Sequence, residues 1–175
     1  MTDRYYITTP IYYVNDKPHI GHAYTSVATD FIARFMRLKG HDVRFQTGTD
    51  EHGLKIQKAA ESKGKEPLEL CNENSQIFKD LTISLDLSND DFIRTTEQRH
   101  VDGASFLWKR LHERNQIYLG EYTGWYSIND ETFYNEKDLV KQSDGSFKTV
   151  TGGPVDWITE KSYFFKLSEW SDKLL

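Results

Sequence analysis

Two histidines, His19 and His22, flank Gly21 in the segment PIYYVNDKPHIGHAYT, directly after Pro18. An imidazole can ligate a metal, donate a hydrogen bond to a phosphate, or cap a helix. The segment lies between a strand-like run and a run with helical apolar spacing, at the predicted junction of a strand and a helix. Residue type and spacing leave three interpretations open: a metal site, a phosphate site and ordinary packing.

The phosphate interpretation follows from the predicted start of a helix near Ile20. The first turn of a helix presents unpaired backbone N–H groups and the positive end of the helix dipole, which together attract anions. Gly21 removes a side chain that would block a ligand, and His19 and His22 would flank the same point as donors. Such a cluster suits a phosphate whose negative charge grows in a transition state, as in phosphoryl or nucleotidyl transfer.

A second polar segment, GTDEHG at residues 48–53, follows another strand-like run. Its Asp50 is a candidate partner for a substrate amine or a ribose hydroxyl. Asp50 and His52 could instead join His19 and His22 as metal ligands, which leaves a metal-dependent hydrolase open. The segment is not a phosphate-binding P-loop, because its lysine is one place late and no Ser or Thr follows it.

The elements around these segments predict an α/β fold with a Rossmann-like parallel sheet. Residues 5–14 have the composition of a buried strand and an extended loop, a helix should run from about Ile20 to a stop at Gly40, and residues 43–45 favour a second strand. Strand, helix and strand form a βαβ unit, whose strands are parallel. Ligands bind beyond the carboxyl ends of such strands, so residues 10–22 and 48–53 should lie close together.

The rest of the chain predicts helices at residues 54–62 and 67–85, a strand at 92–95, and a helix to about Arg114 capped by Thr95. From about residue 117 the helical period disappears, and aromatic residues alternate with Gly and polar residues. We therefore predict a first half of a catalytic domain at 1–116, a β-rich connective insert of short antiparallel strands at 117–165, and the start of a further helix at 166–175.

Composition narrows the class of protein. The 175 residues are 37% hydrophobic with a net charge of −5, which favours a packed core and disfavours a dedicated basic nucleic-acid clamp. The one cysteine, Cys71, rules out an internal disulfide framework and fits a reducing compartment. No apolar stretch approaches a membrane span, and no targeting signal is visible, so we expect a cytoplasmic protein without membrane contact.

The segments PIYYVNDKPHIGHAYT and QTGTDEHGLKIQKAA together closely resemble the N-terminal half of the catalytic domain of the methionyl-tRNA synthetases, which are class I aminoacyl-tRNA synthetases. The segments GWYSINDETFY and GGPVDWITEKSYFFKLSEW look like the connective insert of bacterial members, so the resemblance covers nearly the whole chain. It implies an ATP-dependent methionine–tRNA ligase that forms methionyl-adenylate and transfers methionine to tRNA(Met). The resemblance also implies that the reaction uses ATP together with Mg²⁺.

The resemblance also implies residue roles. His19 and His22 match the histidines that stabilise the α-phosphate of ATP, and Gly21 matches the glycine that lets adenosine approach. Asp50 matches the carboxylate that binds the amino group of methionine. The positions that line the methionine pocket are matched by Pro10, Ile11 and Tyr13.

Two departures from the family pattern lead to further expectations. Many relatives carry Cys-x-x-Cys pairs that bind zinc in the insert, but here the positions read Ser127–Asp130 and Thr149–Gly152, so we predict no zinc. The Lys-Met-Ser-Lys-Ser loop, the second half of the nucleotide fold and the anticodon-binding domain are missing from these 175 residues. We therefore expect an incomplete fragment that is inactive alone. A small nucleotidyltransferase with the same histidine pair and a non-catalytic nucleotide-binding module are further alternatives.

Overall fold

Four parallel strands form the first sheet, in a computed structural model that describes residues 3–175. They are β1 (Arg4–Thr8), β2 (Tyr12–Tyr13), β3 (Asp42–Asp50) and β4 (Asp91–Arg94). Strand β3 is central: its Gln46 is in register with Thr8 of β1 on one edge and with Asp91 of β4 on the other. Strand β2 continues the β1 edge, where Tyr12 and Tyr13 are in register with Thr49 and Asp50. The predicted α/β class and parallel pairing are confirmed.

Two strand predictions need correction. The single strand and loop expected at residues 5–14 are two strands, because the chain leaves the sheet after Thr8 and returns to pair for two residues. The second strand is longer than expected: β3 continues to Asp50, so Gly48–Asp50 belong to the strand and not to a loop. The reason is that β2 and β4 supply partners on both edges of β3 beyond the end of β1.

Three helices lie in the same unit as the sheet: α1 (Ile20–Leu38), α2 (Leu54–Ser62) and α3 (Pro67–Ser84). A fourth, α4 (Gln98–Glu113), crosses the boundary between residues 103 and 104 that divides the chain into two units. The predicted bounds of α2 are confirmed at both ends, and α3 begins at Pro67 as its fixed φ favours. Gly40 follows α1 with φ 88°, the left-handed conformation that ends helices. The predicted cap at Thr95 is wrong, because α4 begins at Gln98 and the Thr95 hydroxyl accepts from Glu51 N instead.

Helix α1 buries the face opposite to the one its apolar period indicates. Its buried residues are Ser26, Thr29, Asp30 and Ala33, while Phe31 is 71% exposed. The small residue Ala33 packs closely on Val43 and Phe45 of β3. Asp30 is satisfied there because its carboxylate accepts hydrogen bonds from Ser88 N at 2.7 Å and Arg34 Nε at 2.7 Å.

Gly48 permits the close approach of β3 and β4. A Cβ atom at this position would lie 2.0 Å from the carbonyl oxygen of Ile93. Only glycine therefore allows this register, which places the end of β3 beside Arg94 and Thr95.

Residues from Ala104 to Leu175 form a second compact unit, distinct from the unit that ends at Gly103. Its sheet pairs β5 (Ile117–Ser127) antiparallel with β6 (Thr132–Tyr134) and β9 (Asp156–Phe165), and β7 (Val140–Lys141) pairs with β8 (Phe147–Lys148). Short 3₁₀ helices lie at Glu136–Asp138 and Leu167–Trp170, and α5 (Ser171–Leu174) follows. The strands are antiparallel as predicted, but β5 and β9 are long, with 11 and 10 residues.

Aromatic pairs hold this second sheet together. Trp125 and Trp157, in register on β5 and β9, have ring centroids 5.2 Å apart, and Tyr122 and Phe133 are 4.6 Å apart. Two turns that replace the expected cysteine pairs are hydrogen-bonded: Ser127 Oγ donates to Asp130 Oδ2 at 2.8 Å, and Thr149 Oγ1 accepts from Gly153 N at 2.9 Å. Within residues 3–175 no helix has the length and apolarity needed to cross a membrane.

Candidate functional site

His19 and His22 cap the amino end of α1 reciprocally. His19 is the N-cap residue, with extended backbone (φ −122°, ψ 176°), and its Nδ1 accepts a hydrogen bond from Gly21 N at 3.1 Å. His22 Nδ1 in turn accepts from His19 N at 3.0 Å. This is the arrangement of a capping box made from two imidazoles, and the ring centroids lie 3.8 Å apart.

The caps determine which ring nitrogen carries the proton. Each Nδ1 accepts from a backbone N–H, so a neutral ring must carry its hydrogen on Nε2. Both Nε2–H groups are therefore available as donors to a ligand at the start of α1. The capping and phosphate-binding interpretations of the pair are compatible, because capping fixes the tautomer that donates.

His22 is held neutral by its surroundings. Its ring makes edge contacts with Tyr12, at a centroid distance of 4.8 Å, and with Phe78, at 5.0 Å. Tyr12 is fixed in turn by stacking on Phe78 at 5.6 Å and by a 3.0 Å hydrogen bond between its hydroxyl and Ser26 Oγ. Burial, followed by the nearby His19, lowers the pKa of His22 below its usual value. His22 is thus suited to donate as a neutral imidazole near pH 7.

Gly21 is required by the cap itself. A Cβ at this position would lie 2.9 Å from His19 Cε1, so a larger residue would displace the ring that caps the helix. Gly21 is exposed, which leaves the first turn of α1 open to a ligand. The glycine therefore makes room for the capping ring, while its part in the approach of a ligand stays a prediction.

A cavity of about 490 Å³ opens beside the two histidines. Its wall is formed by the loop before α1, by β2 and by both imidazoles: Ile11, Tyr12, Tyr13, Asn15, Asp16, Lys17, His19 and His22. A second cavity of about 290 Å³ shares Ile11 with the first and reaches Thr95 and His100. The predicted site residues Ile11, Tyr13, His19 and His22 are thereby brought to one place.

Asp50 joins this region through the sheet. It is the last residue of β3, in parallel register with Tyr13 of β2, so the two Cα atoms are neighbours across strands about 4.8 Å apart. Asp50 does not itself line the 490 Å³ cavity, and neither does Pro10, which is exposed and whose carbonyl accepts from Thr9 Oγ1 at 2.8 Å. The predicted loops at residues 10–22 and 48–53 do meet, at the β2–β3 pair.

Several residues around the site were not found from sequence. Tyr12 and Phe78 tune His22, and Glu51 with Arg94 holds the chain next to Asp50, yet none of these stands out by motif. Glu51 lies in the TDEHG segment, next to the predicted site residue Asp50, but nothing in that segment indicates that its carboxylate is paired. Its true partner lies 43 residues away, a distance that no local pattern specifies.

The metal interpretation of the histidines finds no matching geometry. Within residues 3–175, no three side chains of His, Cys, Asp or Glu form a group that could hold a metal ion. His19, His22, Asp50 and His52 are therefore not arranged as a ligand set. The Nδ1 atoms of both histidines at the start of α1 are instead used in capping.

A family model and curated relatives match most of this chain. The model of the family "tRNA synthetases class I (M)" matches residues 5–143. The methionine–tRNA ligase of Rickettsia bellii is 55% identical over 175 residues, covering 100% of this chain and 34% of that protein. That of Mesorhizobium japonicum is 51% identical over 173 residues, covering 99% and 34%.

Solved structures give the same result. Mycobacterium tuberculosis methionyl-tRNA synthetase in complex with methionyl-adenylate is 48% identical with a TM-score of 0.89, over 99% of this chain and 34% of that one. The apo form from the same organism is 44% identical with a TM-score of 0.69, over 99% and 32%. The chain spans about a third of the length of the curated relatives it matches. By its match over residues 5–143, the chain belongs to the class I tRNA synthetase family of the methionyl type.

Proposed function

We propose that the protein containing this chain is a methionine–tRNA ligase. It activates methionine with ATP to methionyl-adenylate and then transfers the methionyl group to tRNA(Met). The observation that carries the proposal is the pair of imidazoles at the start of α1, whose Nδ1 atoms are occupied by caps and whose Nε2–H groups are left to donate beside a 490 Å³ cavity. The family to which the chain belongs supports the choice of reaction.

In the first step a carboxylate oxygen of methionine attacks the α-phosphorus of ATP. A new P–O bond forms, the bond to the β-phosphate bridging oxygen breaks, and pyrophosphate leaves with that electron pair. Negative charge grows on the α-phosphate oxygens, and His19 and His22 donate to them together with the backbone N–H groups of α1. No protein nucleophile is needed, because positioning and charge stabilisation supply the catalysis.

The substrate methionine is bound by the end of the sheet. The carboxylate of Asp50 pairs with the α-ammonium group, and Ile11, Tyr13 and Pro10 contact the side chain. Tyr13 connects the binding of the ammonium group with the binding of the side chain, because it lines the cavity and is in register with Asp50. In the second step a ribose hydroxyl of tRNA(Met) attacks the adenylate carbonyl, and AMP leaves.

Mg²⁺ enters with ATP in this proposal. Magnesium usually retains waters and is held by substrate phosphates with one or two carboxylates, and Asp16 is the carboxylate in the wall of the cavity. Mg²⁺ would neutralise phosphate charge. Asp16 would hold such an ion only through or beside the nucleotide, because no described group of three ligands provides a separate site.

Methionine-dependent ATP–pyrophosphate exchange tests the function. The longest gene product that contains this sequence should exchange labelled pyrophosphate into ATP with methionine and with no other standard amino acid. Pyrophosphate exchange that occurs when no amino acid is added would favour a small nucleotidyltransferase. The absence of exchange with every amino acid tested would defeat the proposal. Cell fractionation should place the activity in the cytoplasm, where aminoacylated tRNA is consumed.

The three-part division of the chain is also a proposal. Limited proteolysis should cut near the predicted boundaries at residues 116–117 and 165–166, which separate the first half of the catalytic domain, the connective insert and the following helix. Cleavage confined to other positions would contradict this division.

A further inference from the structure

Glu51 is a buried acid next to the proposed substrate-binding Asp50. Its side chain has 0% exposure, which is costly for a carboxylate unless every oxygen is paired. Arg94 at the end of β4 supplies two of the bonds, from Nε at 2.7 Å and from Nη2 at 2.9 Å. Hydroxyl groups of Thr49 and Thr96 donate the others.

The charge on Glu51 is maintained by these donors. Burial alone would raise the pKa of Glu51, but the hydrogen bonds from Arg94, Thr96 and Thr49 outweigh it and lower the pKa. Arg94 is 25% exposed and also donates to Asn72 Oδ1 of α3 at 2.7 Å, so the pair is connected to a second helix. Glu51 is therefore ionised at physiological pH, and its partner Arg94 is held by both Glu51 and Asn72.

The backbone of the same segment is held by Thr95. Glu51 N donates to Thr95 Oγ1 at 2.8 Å, and Thr95 N donates to Thr49 O at 3.2 Å. Thr95 O lies 3.4 Å from His52 Nε2. Arg94, Thr95 and Thr96, which we call the Glu51 clamp, thus fix residues on both sides of Asp50.

The carboxylate of Asp50 receives far fewer hydrogen bonds from the protein than that of Glu51. Among the described residues the Asp50 carboxylate receives only a long hydrogen bond, 3.5 Å, from His52 N. One acid of the Asp50–Glu51 pair is fully satisfied within the protein, while its neighbour keeps most of its acceptor capacity. A backbone held from Thr49 to His52 leaves Asp50 little freedom except at its own side-chain torsions.

We propose that Glu51 and the Glu51 clamp are positioning residues for Asp50, and that they set the affinity for the α-ammonium group of the amino-acid substrate. The inference rests on the proposed function and deepens it by assigning residues outside the wall of the 490 Å³ cavity. Glu51 and Arg94 need not touch the substrate. They act by fixing the position of the Asp50 carboxylate relative to Tyr13 and the 490 Å³ cavity.

Kinetic constants of the longest gene product distinguish positioning from mere stability. Glu51→Gln removes the charge that orders Arg94, and we expect the KM for methionine to rise about 10- to 100-fold in pyrophosphate exchange, because small displacements of binding groups cost this much. The KM for ATP should change less than about twofold, since the His19–His22 caps are untouched. Glu73→Gln is the matched control, because it removes the exposed pair with Lys65 and should leave both constants unchanged.

A double variant separates the two roles further. Glu51→Leu with Arg94→Met removes both buried charges, which commonly restores stability lost in single variants. We expect a melting temperature close to that of the unmodified protein but a KM for methionine that stays raised. A KM for methionine that recovers together with the melting temperature would overturn the proposal.

Two further measurements keep the test decisive if a variant folds poorly or if exchange is not observed. Thr95→Val leaves the ion pair intact and removes one acceptor, so the KM for methionine should rise about 2- to 10-fold, as expected for one hydrogen bond. Amide hydrogen exchange at residues 50–52 should accelerate in Thr95→Val and Glu51→Gln without change in α1. Unmodified protein without methionine-dependent exchange defeats the proposed function, whereas unchanged amide protection at residues 50–52 defeats the clamp.

Discussion

The imidazole rings of His19 and His22 cap the same helix end and depend on each other. Gly21 N donates to His19 Nδ1, His19 N donates to His22 Nδ1, and the ring centroids are 3.8 Å apart. Each ring is thereby fixed with its Nε2 edge away from the helix. The two nitrogens of one residue can be tested separately, because asparagine and glutamine each mimic one of them.

His22→Asn should retain the cap and lose the outward donor. Its Oδ1 can accept from His19 N as Nδ1 does, so we expect a melting temperature near that of the unmodified protein. The rate of methionine-dependent exchange should fall about 100- to 1,000-fold, as when one donor to a transition-state oxyanion is removed. His22→Gln is the counterpart, since it offers an amide N–H near the Nε2 position and should keep more of the rate than His22→Asn.

Acidification should weaken the cap at His22. Its pKa is lowered in the folded state by burial first and by His19 second, so below the ordinary imidazole pKa the unfolded chain binds a proton that the folded chain resists. The contribution of His22 to the free energy of unfolding is therefore fully present above about pH 6.5, the ordinary imidazole pKa. It is lost as the pH falls from that value toward the lowered pKa of the folded state. Urea denaturation between pH 7.5 and 5 should show that the free energy of unfolding falls more steeply with decreasing pH in the unmodified protein than in His22→Asn. Parallel curves would show that His22 does not contribute.

Gly48→Ala should disrupt the β3–β4 pair. The new Cβ would lie 2.0 Å from the carbonyl oxygen of Ile93, and backbone cannot yield as a flexible side chain can. We expect a loss of at least about 3 kcal/mol in the free energy of unfolding, at the upper end of overpacking effects.

Gly103→Ala is the control for that substitution. Gly103 lies inside α4 without positive φ, and a Cβ added there would meet nothing within 4 Å. Helix propensity predicts a gain of about 0.5–1 kcal/mol, measured by the same denaturation. Similar effects at both glycines would contradict the close approach at Gly48.

The second unit should be stable without zinc. Ser127 has no exposed surface, and its hydroxyl both donates to Asp130 Oδ2 and accepts from Asp130 N at 3.3 Å. Ser127→Ala should therefore cost about 1–3 kcal/mol through buried groups left unpaired. Elemental analysis of the purified protein should find far less than one zinc per chain. Stoichiometric zinc that is lost with chelator, together with unfolding of this unit, would contradict the prediction.

Local signals predicted the elements well where their ends carry caps or breakers. Pro67 and Gly40 mark helix ends correctly, because their backbone preferences act within one or two residues. The two-residue strand β2 was missed, since its existence depends on β3 as a partner and not on its own sequence.

The burial of α1 shows a different limit. Its apolar period predicted a helix, but the side that packs on β3 is the side of Ala33 and Asp30. Asp30 can be buried because Ser88, 58 residues away, donates to it. The Glu51–Arg94 pair was invisible for the same reason, whereas the histidine pair was found because its members and the helix start are contiguous.

The most direct test of the account is the position of the two imidazoles in a crystal structure of the protein with a non-hydrolysable methionyl-adenylate analogue. The account predicts the Nε2 atoms of His19 and His22 within about 2.7–3.2 Å of phosphate or sulfamate oxygens, with both Nδ1 caps intact. It also predicts the Asp50 carboxylate at hydrogen-bond distance from the ligand's ammonium group. An analogue bound elsewhere, or imidazole rings turned away with their caps broken, would contradict it.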